Sequence, residues 1–195
     1  ERLLLSMTFC AGMSACATQP LPADLHYRLD SGAEVAAFPA APSLLVESFD
    51  AFGLYAERPL IYRRAEAQGA VEQYRHQFWI EPPALMLSDG LRRSLRNAFG
   101  DAKVHPRNAR ERAAYVIKPR LRRLDQVIEA TGVRAELAVD FLVTDEAHAP
   151  RFMLQFEESQ RVDSDAPAAF AAAASELAAR ANAKLVERLS REFAR

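Results

Sequence analysis

The sequence predicts a single compact α/β domain: a mixed, partly antiparallel sheet packed by a middle helix and a long C-terminal helix. Three observations carry this. Residues 133–144 alternate apolar and polar positions, the period of a strand with one buried face. Ala84, Leu87, Leu91, Leu95 and Phe99 recur at spacings of three and four, which is one face of a helix. Phe170, Ala174, Leu177, Ala181, Leu185 and Leu189 repeat that pattern near the end of the chain. A length of 195 residues suits one domain and is short for two.

In chain order, His26–Asp30 reads as a short strand and Ser31–Pro42 as a Gly/Ala/Pro loop. Ser43–Ala51 is a second strand, carrying Leu44, Val46 and Phe49. Leu60–Arg64 and Val71–Phe78 are strands on either side of a turn marked by Gly69. Trp79, the only tryptophan, reads as a core anchor at the corner between strand and helix. Pro82-Pro83 opens the middle helix, because the first turn has no use for the missing N–H, and Gly100 closes it.

Tyr115–Ile128 is a long strand with Tyr115, Ile117 and Leu121 on one face. Thr131-Gly132 turns it back into the 133–144 strand, and Asp145–Pro150 turns that into a third strand bearing Phe152, Leu154 and Phe156. An antiparallel meander results. Ser164 or Asp165 caps the last helix and Pro167 lies in its first turn. About 28 residues make it about 42 Å long. Its alanine-rich stripe permits close approach to a flat sheet; packing against a second copy of the chain is the alternative.

Composition excludes several functions. Lys and Arg number 25 against 26 Asp and Glu, so the basic excess of a general nucleic-acid binder is absent. The seven glycines form neither a G-x-G-x-x-G nor a P-loop, so no nucleotide cofactor is expected. The only cysteines are Cys10 and Cys16, and no two of the four histidines have H-x-x-x-H spacing, so no metal site is expected. There is no G-x-S-x-G, and Glu157-Glu158 point to opposite faces of a strand, which reads as solvated edge charge and not a catalytic pair. The chain is not expected to be an enzyme.

The N-terminus reads as an address. Arg2 precedes an apolar run over 3–15, too short to span a bilayer, which needs about 20 residues. Met13-Ser14-Ala15-Cys16 looks like a bacterial lipobox, in which the cysteine is lipidated on its thiol and becomes the new N-terminus. Cys10 fits less well because bulky Phe9 precedes it. The bland reading is a buried N-terminal helix with two incidental cysteines. Residues 1–15 are then a signal peptide, 16–23 a lipidated tether containing Pro20 and Pro22, and 24–195 the folded domain. Ala17 after the cysteine, where aspartate would favour the inner membrane, points to the outer membrane.

Two cationic groups are candidates for partner binding. Arg92, Arg93 and Arg96 lie off the apolar face of the middle helix. Lys118, Arg120 and Arg122 project from one side of a strand, within a basic run that includes Arg107, Arg110, Arg112 and Arg123. Asp125, Glu129 and Glu136 could neutralise the strand group across the sheet, which makes it the weaker of the two.

Three segments resemble one family. They are Cys16 with its proline-containing tether and His26-Tyr27-Arg28-Leu29; Tyr55-Ala56-Glu57-Arg58-Pro59-Leu60-Ile61-Tyr62-Arg63; and Phe78-Trp79-Ile80-Glu81-Pro82 followed by Leu85, Leu91 and Leu95. In order and spacing they resemble the ABC-type transport auxiliary lipoproteins, including the paraquat-inducible protein C type, over about residues 16–190. Phe78, Ile80 and Pro83 depart from the family's usual basic, small and apolar residues. The resemblance implies a compact α/β domain with no catalytic residues. It further implies an accessory that works beside an ABC transporter or a mammalian-cell-entry-type periplasmic protein in lipid transport, held by its lipid at the periplasmic face of the outer membrane. The competing readings are a lipoprotein that carries a hydrophobic ligand between sheet and helix, and, lowest, an envelope hydrolase. A large apolar cavity would favour the carrier, a packed core with an exposed apolar or charged surface the docking role, and a convergent His/carboxylate cluster the hydrolase.

Overall fold

A computed structural model describes residues 22–38, 41–106 and 113–194. The strands are β1 (Leu25–Tyr27), β2 (Leu44–Val46), β3 (Pro59–Arg64), β4 (Glu72–Trp79), β5 (Val104–Pro106), β6 (Tyr115–Glu129), β7 (Gly132–Asp145) and β8 (Pro150–Val162). Helix α1 (Pro83–Phe99) follows β4, and α2 (Pro167–Phe193) ends the chain. All eight strands form one mixed sheet. Strand β6 is its hub. One edge of β6 pairs antiparallel with β7, which pairs antiparallel with β8. The other edge is shared: β2 runs parallel to the start of β6 and β3 parallel to its end. Outside these lie β5 beside β2, and β4 then β1 beside β3.

The alternation in β7 sets the two faces. Ala135, Leu137, Val139, Phe141 and Val143 face the helices and are buried. Opposite them in the ladder stand Ile117, Leu121 and Leu124 of β6 and Phe152, Leu154 and Phe156 of β8. Phe170, Ala174, Leu177, Ala181, Leu185 and Leu189 of α2 close over this face, and Leu87, Leu91, Leu95 and Phe99 of α1 lie in the same cluster. The alanine stripe therefore lies across the sheet, where small side chains let the helix come close. Each large apolar side chain taken out of water contributes roughly 1.5–3 kcal/mol.

Three differences from the sequence reading have local causes. First, β2 is three residues long, because the chain leaves regular pairing after Val46 while still following β6. Glu47 N–H donates to Ile117 O at 3.0 Å and Asp50 N–H to Pro119 O at 2.9 Å. Pro119 has no N–H to return, so the ladder cannot continue evenly there. Second, β5 is a three-residue strand with no periodic signal, held by β2. Third, α2 has no side-chain cap. The Ser164 hydroxyl accepts from Ala166 N–H at 3.0 Å, ahead of the helix, and Ala166 itself occupies the N-cap position. The cap expected from Ser164 or Asp165 is thus replaced by a turn that delivers Pro167 into the first turn.

The helices are tied to the loops by buried polar groups. The Ser94 hydroxyl accepts from Ala33 N–H and the Ser88 hydroxyl from Phe49 N–H, both at 2.8 Å. Asn182 of α2 donates to Ser31 O at 2.7 Å. Ser31 is pressed so closely on α1 that a Cβ on Gly90 would lie 1.8 Å from its hydroxyl oxygen and 3.0 Å from its carbonyl carbon. Alanine at position 90 should therefore destabilise despite its better helix propensity. Overpacking costs about 1–3 kcal/mol against a propensity gain of up to about 1 kcal/mol. A lowered thermal midpoint for Gly90→Ala checks this; a raised one would mean that the Ser31 segment yields.

Candidate functional site

The sheet face opposite the helices carries most of the charge, and a bulge in β6 divides it. Leu121 pairs with Val139 and Arg123 with Ala138, so Arg122 is the extra residue. Both arginines consequently point outward, and the next inward residue is Leu124 instead of Arg123.

Beyond the bulge Arg63, Arg122, Arg123 and Arg134 are each matched to carboxylates, while Arg161 near the end of β8 bonds to Thr131. Arg122 Nε donates to Asp140 at 2.8 Å and reaches Glu157 at 3.3 Å. Arg123 reaches Glu157 at 3.2 Å and Glu136 at 3.4 Å. Arg134 pairs with Glu136 and Glu129, and Arg63 with Glu136 and with Asp125, the last at 3.3 Å. Asp125 is only 1% exposed. It also accepts the Tyr55 hydroxyl at 2.9 Å. Burial pushes its carboxyl above the ordinary range, despite Tyr55 and Arg63. Burial and the adjoining Asp125 charge push the Tyr55 hydroxyl up as well. Burial acts upward on Glu136 too, but the hydrogen bonds and charges of Arg63 and Arg134 outweigh it and hold that carboxyl low. Even positions of β7 beside this network are accordingly covered by ion pairs: Ala138 and Asp140 are buried on a face that alternation alone would leave wet.

Below the bulge the pattern changes. Among the described residues, Lys118 and Arg120 have no carboxylate within ion-pair distance. Arg120 instead lies over the Phe52 ring, 5.0 Å from its centroid. Phe52 is 58% exposed and Met153 on β8 is 56% exposed. Lys118, Arg120, Leu142 and Met153 border an open cleft of about 490 Å³ that Glu47 and Asp50 also line. Phe52 is held in place from behind. Gly53 turns the chain at φ +58° into a short 3-10 turn over Gly53–Ala56, and Tyr55 of that turn is the residue bonded to Asp125. The result is a patch of exposed Phe52, Met153 and Arg120, residue types enriched where proteins bind one another, with Lys118 beside them.

The α1 arginines are placed differently. Arg92 pairs with Asp89 at 2.6 Å, Arg93 with Asp30 at 2.7 Å, and Arg96 with Asp101 at 3.7 Å. Each is thus committed to a carboxylate of its own domain. Of the strand group, Arg122 is likewise committed, and only Lys118 and Arg120 are left for an outside charge. Glu136, the residue that looked able to neutralise this face, reaches Arg63, Arg123 and Arg134 and neither of those two. Glu157 and Glu158 do face opposite ways, but each is ion-paired: Glu157 outward to Arg122 and Arg123, Glu158 inward to Arg180 and Lys184 of α2. Cys10, Cys16, Arg107, Arg110 and Arg112 lie outside the described residues.

The space between sheet and helices is filled by side chains, with Phe141, Phe156, Phe170, Leu121 and Leu177 all fully buried. Asp125, the buried carboxyl with a raised pKa, is enclosed by Tyr55 and Arg63 and serves the fold. Among the described residues no group of three or more His, Cys, Asp or Glu is placed to hold a metal ion. No helix among them is long and apolar enough to cross a membrane.

The family of ABC-type transport auxiliary lipoprotein components matches residues 27–186. No curated protein matches the chain. Among solved structures, a Xanthomonas campestris protein of the DUF330 family superposes with a TM-score of 0.72 at 18% identity, covering 83% of this chain and 92% of its own. An uncharacterised protein gives 0.62 at 11% identity, over 86% and 99%. The PelC dodecamer from Paraburkholderia phytofirmans gives 0.46 at 15% identity, over 77% and 91%, a likeness too distant to carry an argument. At these identities the likeness is one of fold.

Proposed function

Since the chain belongs to the family of ABC-type transport auxiliary lipoprotein components, we propose that it is an envelope lipoprotein that docks onto a transport component through the outer-face patch around Lys118 and Arg120. The anchor is Cys16, lipidated after removal of residues 1–15, and it holds the domain at the periplasmic face of the outer membrane. The partner is an ABC transporter or a mammalian-cell-entry-type periplasmic protein that moves lipid. The observation that carries this reading is the unmatched pair of cations beside exposed Phe52 and Met153, on a face where every neighbouring arginine is already paired. The filled interior speaks against a carrier with its ligand between sheet and helix.

Two tests follow from this. Lys118→Glu with Arg120→Glu should abolish complementation of a deletion strain, scored as sensitivity to membrane-active compounds. Protein abundance should stay normal, because exposed substitutions shift stability by only about 0.5 kcal/mol. Arg92→Glu with Arg93→Glu and Arg96→Glu is the comparison. Loss of complementation there with the strand variant fully active would move the docking face to α1. Full activity of both would remove the docking reading. Separately, Cys16→Ser should release the protein from the membrane fraction or leave it unprocessed. Palmitate labelling and membrane fractionation unchanged from wild type would overturn the anchor.

A further inference from the structure

Strand β8 is 13 residues long, and among the described residues it pairs only with β7. Its outer edge therefore presents a row of backbone donors and acceptors with no ladder partner. The other short edges, β1 and β5, offer three residues each. Alongside the β8 edge runs a row of cations from α2. The two elements run in opposite directions. Arg180 lies at Gln160 and Glu158, at 2.9 and 3.2 Å. Lys184 lies at Glu158 and 5.0 Å from the Phe156 ring centroid. Arg188 lies 4.6 Å from the Phe152 ring centroid.

We propose that this edge takes an extended acidic segment of a partner protein as a ninth strand, with alternate carboxylates under Arg180, Lys184 and Arg188. Two observations combine. The first is spacing. Four residues of helix advance about 6.0 Å and two residues of strand about 6.8 Å. By rise alone, three successive cations therefore span three alternate strand positions to within about 1.6 Å, and Arg188 reaches further along, to Phe152. The second is charge. Glu158 serves both Arg180 and Lys184, and Glu192 serves both Arg151 and Arg188, so four cations share two carboxylates. Of the other acids on α2, Glu176 accepts from Gln160 and Glu187 pairs with Arg191. Added carboxylates complete these pairs, whereas a basic strand is repelled. The same charges keep the bare edge from joining indiscriminate neighbours. Main-chain bonds supply the attachment and the cation row the selection. The inference stands on this edge alone and does not rest on the Lys118/Arg120 face.

The test uses the full chain in detergent and two end-capped peptides, one alternating threonine with glutamate and one alternating threonine with lysine. The threonine–glutamate peptide should slow amide hydrogen exchange along β8, and the threonine–lysine peptide should not. Arg180→Ser with Lys184→Ser and Arg188→Ser should weaken binding about tenfold or more. If that variant does not fold, added salt on the wild type gives the same discrimination, since exposed pairs are screened beyond about 8 Å at physiological ionic strength. Lys118→Glu with Arg120→Glu should bind the peptide as wild type does. Absence of β8 protection, equal protection by both peptides, or loss of binding in the Lys118/Arg120 variant would each overturn the proposal. Protection of β8 that rises with protein concentration alone would assign the edge to a second copy of the chain, and overturn it too.

Discussion

Replacing Trp79 by alanine should lower the unfolding free energy by about 3–5 kcal/mol. Trp79 ends β4 and is 2% exposed. Its ring packs against Phe170 of α2, with centroids 5.8 Å apart. Its backbone is pinned on both sides: Trp79 N–H donates to Arg58 O at 2.7 Å, and Ile80 N–H donates to Tyr27 O at 2.8 Å. The indole thus fills the corner where β1, β4 and the start of α2 meet. A backbone held this firmly cannot collapse into the space left behind, which places the cost towards the upper part of that range. Urea unfolding followed by circular dichroism would show it as a lower midpoint with an unchanged slope. A shift below about 1 kcal/mol would mean that the corner repacks.

The second large effect is expected at Arg63. Arg63→Met removes the guanidinium shared by Asp125 and Glu136. Taking one partner from a buried pair costs about 3–5 kcal/mol. The lower end applies here, because Arg63 is itself partly exposed and Tyr55 still donates to Asp125. The pH dependence identifies the cause. Asp125 has a raised pKa in the fold, so its contribution is most favourable below the ordinary carboxyl value and is lost as pH rises through the folded value. Glu136 has a lowered pKa, so its contribution is present above the ordinary value and lost as pH falls through the folded one. In Arg63→Met, ionised Asp125 loses its ion-pair partner and ionised Glu136 keeps only Arg123 and Arg134, whereas neither needs Arg63 when protonated. The deficit relative to wild type should therefore be largest near neutrality and shrink as pH falls through the carboxyl range. A deficit of equal size at both ends would mean that Arg63 acts by packing its stem.

Helix α1 and strand β7 were legible because their signals are local. Leu87, Leu91 and Leu95 declare a helical face, and Val133 to Val143 a strand face, without reference to anything distant. The bulge in β6 left a weaker trace. Its residues facing the helices occupy odd positions at Ile117 and Leu121 and even positions at Leu124 and Ile128, although Val116 and Val127 on the other face blur the pattern. That change of parity is what one inserted residue does to a period of two. The candidate patch was only half legible. Lys118 and Arg120 stood out as cations on a strand face, but Phe52 and Met153 read as ordinary apolar residues in other segments. Their exposure comes from the turn at Gly53 and from β8 being the last strand of the sheet.

Local sequence was enough for the α/β class, the long meander, the inward faces of both helices, and the order and type of every strand and α-helix except β5. All of these follow from hydrophobic periods and from proline and glycine within a few residues of where they act. Which cations remain unmatched follows from how the strands pair in three dimensions. The carboxylates that neutralise Arg122 and Arg123 stand on β7 and β8, and those of Arg63 on β6 and β7. Which acid meets which base depends on the register between paired strands. A one-residue bulge resets that register, so composition and spacing could name the charged residues but not pair them.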